Sequence, residues 1–176
     1  MCLSLVGSEM CIRDSLSCNT RGWENKVEIF SDKAYKINQI REKLLSLVDQ
    51  DANSFNSIME AYKLPKDSDD NKKIRSKAIK DATLYAAKIP LNIMIESYNS
   101  YHIIEFLAKD GNQNSLSDSG VACLCVHAAI HGAYLNVRIN LKDTSGGDDI
   151  MKKANKILND SFLKKEKIMK LVEDKL

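Results

Sequence analysis

Between Phe30 and Tyr62 one set of side chains recurs at steps of three or four residues: Phe30, Ala34, Ile37, Ile40, Leu44, Val48, Asp51, Phe55, Ile58 and Tyr62. That step is the period of one face of an α-helix, and a strand would need a step of two. The run predicts one long helix that ends at Leu64-Pro65, where proline removes a backbone donor and fixes φ. A helix of that length cannot bury its apolar face alone, so the rest of the chain must supply helical partners.

The same period continues downstream. Ile74, Ala78, Ala82, Tyr85 and Ile89 predict a second helix, with Pro90 marking a kink or a new start. Met94, Tyr98, Tyr101, Ile104 and Ala108 predict a third, stopped at Asp110-Gly111-Asn112. A fourth runs from Ser117 or Asp118, both good N-cap types, toward Leu141. After the loop Thr144-Ser145-Gly146-Gly147, a fifth carries Ile150, Ala154, Leu158, Phe162, Met169 and Val172 on one face. With only two prolines and seven glycines, the expected fold class is all-α: an antiparallel bundle of about five long helices. No internal repeat and no low-complexity linker interrupts it.

Charge and cysteine usage narrow the function classes. Twenty-six Lys+Arg against 24 Asp+Glu leave a net charge of +2, which gives no basis for a nucleic-acid or membrane-surface partner. No apolar run is expected to approach the roughly 20 residues needed to cross a bilayer. Cys123 and Cys125 lie two apart, so on a helix they point in different directions and cannot bridge each other. They read as reduced packing residues, with a cytoplasmic location as the corollary. Residues 1–15 resemble a translated sequencing-library transposon end at Met10-Cys11-Ile12-Arg13-Asp14, and lack the basic start and long apolar core of a secretory signal. They are expected to be a non-native leader, with one helical domain over 16–176.

Two stripes carry chemistry. Asp51 interrupts the apolar face of the first helix, with Leu47, Val48 and Phe55 as its neighbours. A carboxylate partly withdrawn from water is suited to proton transfer near neutral pH; the alternatives are a place at the stripe's edge or a pairing with a buried base. Asp49 lies about 200° away around the helix and should be solvated. On the fourth helix Ala122, Cys125, Ala129, Ala133, Asn136 and Asn140 share one face, with Gly132 beside it. That face suits either close helix packing or a flat ligand bearing donors and acceptors along one edge, which the amides of Asn136 and Asn140 would meet. His127 and His131 have a metal-compatible i,i+4 spacing but no third ligand, so no metal is expected and they read as partly buried polar residues.

Several segments, taken in order, resemble the formimidoyltetrahydrofolate cyclodeaminase / methenyltetrahydrofolate cyclohydrolase family. They are Leu47-Val48-Asp49-Gln50-Asp51-Ala52-Asn53-Ser54-Phe55, Ala61-Tyr62-Lys63-Leu64-Pro65-Lys66 and Gly111-Asn112-Gln113-Asn114-Ser115-Leu116-Ser117-Asp118. Gly120-Val121-Ala122 and His131-Gly132-Ala133-Tyr134-Leu135-Asn136-Val137-Arg138-Ile139-Asn140-Leu141 follow. The resemblance implies an all-helical homodimer or higher homo-oligomer acting on a tetrahydrofolate one-carbon adduct. The folate is substrate, with no permanently bound cofactor, and a formimidoyltransferase domain or partner is possible by the same analogy. The family's opening Gly-Gly-Gly-Ser loop and alanine-rich helix have no counterpart here before Arg21-Gly22-Trp23, so the chain is expected to be N-terminally truncated.

The resemblance also implies roles. Closure of 5-formimidoyltetrahydrofolate to 5,10-methenyltetrahydrofolate would release ammonia, a step of histidine breakdown, with Asp51 moving the proton. Asn136, Asn140, Asp118 and Asn112 would meet the pterin or p-aminobenzoyl portion. Lys66 or Arg75 would meet the glutamate tail, against the simpler reading of both as surface charges and of Asp118 as an N-cap. Hydrolysis of the methenyl bridge is the rival activity. A non-catalytic helical dimerisation module is the rival of another class.

Overall fold

The computed structural model describes residues 26–176, and the expected leader lies outside them. Four long helices make up this part of the chain: α1 (Val27–Lys63), α2 (Asp69–Asp110), α3 (Leu116–Leu141) and α4 (Asp148–Glu173), with a single 3-10 turn at Gln113–Ser115. The expected second and third helices are one. Pro90 sits buried in the middle of α2, which continues through it.

That continuity has a specific cause. Pro90 has no N–H to give to the Ala86 carbonyl one turn back, so an interior proline leaves that acceptor without its helical partner. Asn140 of α3 supplies the replacement: its side-chain Nδ2 donates to the Ala86 carbonyl at 3.2 Å. A tertiary hydrogen bond therefore mends the break that the local sequence would make.

Ends are set by local chemistry. Pro65 stops α1, and Arg75 reaches back to donate from Nε and Nη2 to the Tyr62 carbonyl at 3.2 and 3.1 Å. Ser68 caps α2, its Oγ accepting from the Asn71 N–H at 3.2 Å. Gly111 closes α2 by donating its N–H to the Leu107 carbonyl at 2.9 Å. The α3 start differs from expectation: Ser115 precedes it, so Asp118 stands inside the first turn, where an acid favours the helix dipole. In the loop before α4, Gly146 takes φ 89°, a conformation that other residues adopt only with strain.

Cross-helix pairs fix the directions. Phe30 meets Phe106, Lys43 meets Glu96 and Arg75 lies over Tyr62, so α1 and α2 are antiparallel. Cys123 meets Lys165, His127 meets Ser161 and Tyr134 meets Asn155, so α3 and α4 are antiparallel too. The helix α2 is the hub: it packs on α1, α3 and α4, whereas among the described residues α1 packs almost wholly on α2. The core gathers Met94, Tyr101, Ile104 and Leu107 of α2 with Cys123, Val126 and Ile130 of α3 and Ile168 of α4. Burial pushes the Cys123 thiol up to about 12, as befits a packing residue.

Beside the core, Glu105 is only 9% exposed. Lys109, Lys164 and Lys167 approach it at 2.8, 3.3 and 2.7 Å and hold its carboxyl down to about 2. They join α2 to α4. The expectation that no apolar run reaches membrane-crossing length is corrected: among the described residues one helix, Gln113–Leu141, is long and apolar enough, its small and aliphatic residues being interrupted by few charges. One face of it is packed in the core.

Candidate functional site

The seam that α1 buries is not the stripe read from the sequence. Phe30, Ile37 and Leu44, and then Ile40, Leu47, Ser54 and Ala61, are the buried residues. Each set repeats every seven residues. Such a repeat drifts back around an ideal helix by about 20° per heptad, the geometry of a supercoiled pair. Over the length of α1 the drift carries the seam away from Val48, Asp51 and Phe55. Asp51 is consequently exposed, and Val48 and Phe55 are 54% and 61% exposed. The expected partial burial of Asp51 within this chain is thus corrected. Its carboxylate stands at the border between the buried seam and an uncovered apolar strip that also includes Met59 and Tyr62.

Asp51 faces a defined part of the molecule. On α1, Lys43, Ser46 and Gln50 lie on one flank of the seam and line a groove of about 560 Å³ with Asn92 and Glu96 of α2. At about 100° per residue, Asp51 lies on the opposite flank. On α2, Asn92 and Glu96 are turned away from Ala86, where Asn140 of α3 is bonded. The Asp51 flank is therefore the one that opens toward α3, over a floor that includes Ala82 and Ala86 of α2.

The helix pairings also set heights along the bundle. Residue sums of 136 to 139 at Phe30–Phe106, Tyr62–Arg75 and Lys43–Glu96 put Asp51 level with about Ala87, one residue from the Asn140 contact at Ala86. Asp51, Asn136 and Asn140 thus share one end of the bundle. Lys66, exposed in the α1–α2 connection, and Arg75 lie toward that same end. Asn112 and Asp118 do not. Asp118 and Asn140 are 22 residues apart on one helix, or roughly 33 Å at about 1.5 Å per residue. One chain cannot bring them to the same small ring system.

Partners already taken limit what each residue offers. Asn140 uses one amide hydrogen on the Ala86 carbonyl and keeps its side-chain oxygen to accept. Arg75 is bonded to the end of α1 and stacked over Tyr62 at 5.4 Å. Asn112 shapes its own turn, accepting at Oδ1 from the Asn114 N–H at 3.0 Å. Asn136 is exposed on the surface of α3. On the small-residue face Ala122 and Ala133 are buried against neighbours, and Cys125, Ala129 and Asn140 are half-buried. Packing accounts for that face and leaves Asn136 as the amide facing outward.

His127 and His131 pack edge-on against Phe162, at 4.7 and 6.3 Å between ring centroids. His127 Nδ1 lies 3.4 Å from the Ser161 hydroxyl, and burial with the nearby Lys165 charge pushes its pKa down. The Lys43/Gln50/Asn92/Glu96 groove was missed from sequence. The signal was the i,i+4 pair Asn92 and Glu96 directly after Pro90, polar residues where the core-facing period predicts apolar ones.

The comparisons agree with this fold. The family profile described as formiminotransferase-cyclodeaminase matches residues 8–159, and the chain belongs to that family. It is 32% identical over 140 residues to the chicken formimidoyltransferase-cyclodeaminase, which covers 80% of this chain but 26% of that protein. The chain thus spans about a quarter of the length of that relative. It is 30% identical over 169 residues to a methenyltetrahydrofolate cyclohydrolase of Methylorubrum extorquens, covering 92% of this chain and 81% of the relative. The crystal structure of formiminotetrahydrofolate cyclodeaminase from Thermotoga maritima superposes with a TM-score of 0.80 over 99% of this chain and 83% of that one, at 23% identity. That likeness establishes the fold. Family members are folate-processing enzymes.

Proposed function

We propose that this chain is a cyclodeaminase acting on 5-formimidoyltetrahydrofolate, with Asp51 as its proton carrier. The observation that supports this reading is an exposed Asp51 carboxylate within the family motif, at about the height along α2 where Asn140 bonds Ala86. In the reaction N10 attacks the carbon of the protonated formimidoyl group and a C–N10 bond forms. Asp51 takes the N10 proton and delivers it to the NH2 of the tetrahedral adduct. The C–NH3 bond then breaks, ammonia leaves, and the positive charge remains on the 5,10-methenyl bridge. Asn136, and Asn140 through its free oxygen, would hold the ring edge, with Lys66 near the glutamate tail.

Methenyl-bridge hydrolysis is the second reading. A relative that this chain matches along 81% of that protein's length is a cyclohydrolase, and this favours it. Asp51 would then take a proton from the attacking water. In either reading the chain works in one-carbon metabolism as a homo-oligomer in the cytoplasm, the folate its substrate, in company with a formimidoyltransferase domain or partner if it deaminates. Ammonia release from the formimidoyl compound, run beside loss of the methenyl chromophore, separates the two. Asp51→Asn should abolish whichever activity is present, by at least about 100-fold. Because Asp51 is exposed, stability should change by no more than about 0.5 kcal/mol. Wild-type turnover in that variant would remove Asp51 from the mechanism.

A further inference from the structure

The groove between α1 and α2, on the flank away from Asp51, has no part in the folate reading. Its volume of about 560 Å³ suits a small polar molecule. Buried Leu47 lies at its floor, and its walls are polar.

Glu96 is the wall residue out of balance. Its side chain is only 19% exposed, and among the described residues its partner is Lys43, whose Nζ stands 3.4 Å from Oε1. Charge-assisted bonds of this kind close to about 2.7–2.9 Å, so this one is stretched. Lys43 is 62% exposed and has water as an alternative partner. A carboxylate so far withdrawn from water and so loosely matched is stabilised by a cation that comes closer. The other acid, Glu42, is taken by Arg41 at 2.8 Å. The groove is left with one positive and one negative group, held apart.

Farther along, charge gives way to amides. Asn92 is exposed one turn before Glu96 on α2, roughly 6 Å away at about 1.5 Å per residue. On α1 Gln50 donates from Nε2 to the Ser46 hydroxyl at 3.1 Å and keeps its own oxygen to accept.

We propose that this groove binds a free α-amino acid with an amide-ended side chain of glutamine length, its ammonium on Glu96 and its carboxylate on Lys43. The ligand inserts its two opposite charges into the stretched pair and gives each wall a closer partner than it has now. Its side-chain amide reaches Asn92 and the Gln50 oxygen one turn along. Two methylenes cover that distance, and one leaves the amide short. Because the charged walls stand on different helices, the bound molecule ties α1 to α2. The proposal is independent of the folate reading.

The experiment is calorimetric titration of the full chain with L-glutamine, with circular dichroism as the folding control for each variant. Saturable binding is expected by about 10 mM, and the melting temperature should rise with glutamine concentration. Glu96→Gln and Lys43→Met should each weaken binding by at least about tenfold. Analogues make the same test on the unchanged protein: N-acetyl-L-glutamine lacks the ammonium, L-glutaminamide lacks the carboxylate and L-asparagine lacks a methylene. Each should bind about tenfold more weakly than glutamine. Asp51→Asn should bind glutamine as the wild-type chain does. The proposal is overturned by an absence of saturable heat, by asparagine or either blocked analogue binding as well as glutamine, or by wild-type affinity in Glu96→Gln or Lys43→Met. Weakened binding in Asp51→Asn would put the ligand on the other flank and overturn it too.

Discussion

Asn140 and Pro90 should be energetically coupled although 50 residues separate them in sequence. In the wild-type chain Asn140→Ala removes the side-chain donor that, among the described residues, reaches the Ala86 carbonyl, and leaves that acceptor facing Pro90, which has no N–H. Ala86 is buried, at 3% exposed, so water cannot readily substitute. Loss of the bond together with an orphaned carbonyl should cost about 2 kcal/mol. In a Pro90→Ala background the new N–H at position 90 bonds Ala86 in the ordinary helical way, and the same Asn140→Ala change should cost only about 0.5 kcal/mol. The coupling is then about 1.5 kcal/mol, read from urea unfolding of the two single variants, the double variant and the wild type. The effect of Pro90→Ala on its own drops out of the cycle. Asn140→Asp, which offers oxygen lone pairs to an oxygen, should be at least as damaging as alanine. Equal costs of Asn140→Ala in the two backgrounds, within about 0.3 kcal/mol, would refute the argument.

Glu105 makes stability fall in acid. Its carboxyl is held near 2 against an ordinary 4.5, so its contribution is complete above about pH 4.5 and is lost as the pH falls toward 2. About 1–2 kcal/mol is expected once the exposure of Lys109 and Lys167 is allowed for, and Glu105→Gln should flatten that part of the urea midpoint-against-pH curve. Tyr101 is fully buried and its hydroxyl has no partner among the described residues, so Tyr101→Phe should raise stability by about 1 kcal/mol in the same assay.

Helix content was legible because helical period is a local property, and Leu64-Pro65, Gly111 and the Gly146-Gly147 loop mark ends by local chemistry. Pro90 was not, because the group that rescues it lies on another helix. The buried side of α1 was legible at Phe30, Ile37 and Leu44 and then lost. A step of three or four residues fits both a straight stripe and a drifting heptad, and only the partner α2 decides between them. The same ambiguity put Phe162 on the core side of α4, where the buried residues are Ala154, Ser161, Ile168 and Val172. Asp51 was reachable through its motif, its surroundings were not, and the distance between Asp118 and Asn140 follows from helix length alone.

Because among the described residues α1 packs on α2 and on little else, it should lift away more readily than the other three helices. Its amides should therefore exchange with solvent deuterium earlier than those of α2, α3 and α4, as a separate cooperative unit. The residue on which catalysis is proposed to turn belongs to the most weakly held part of the molecule. A folate lodged between α1 and α3 would bind only the closed arrangement, and protection along α1 would rise with its concentration.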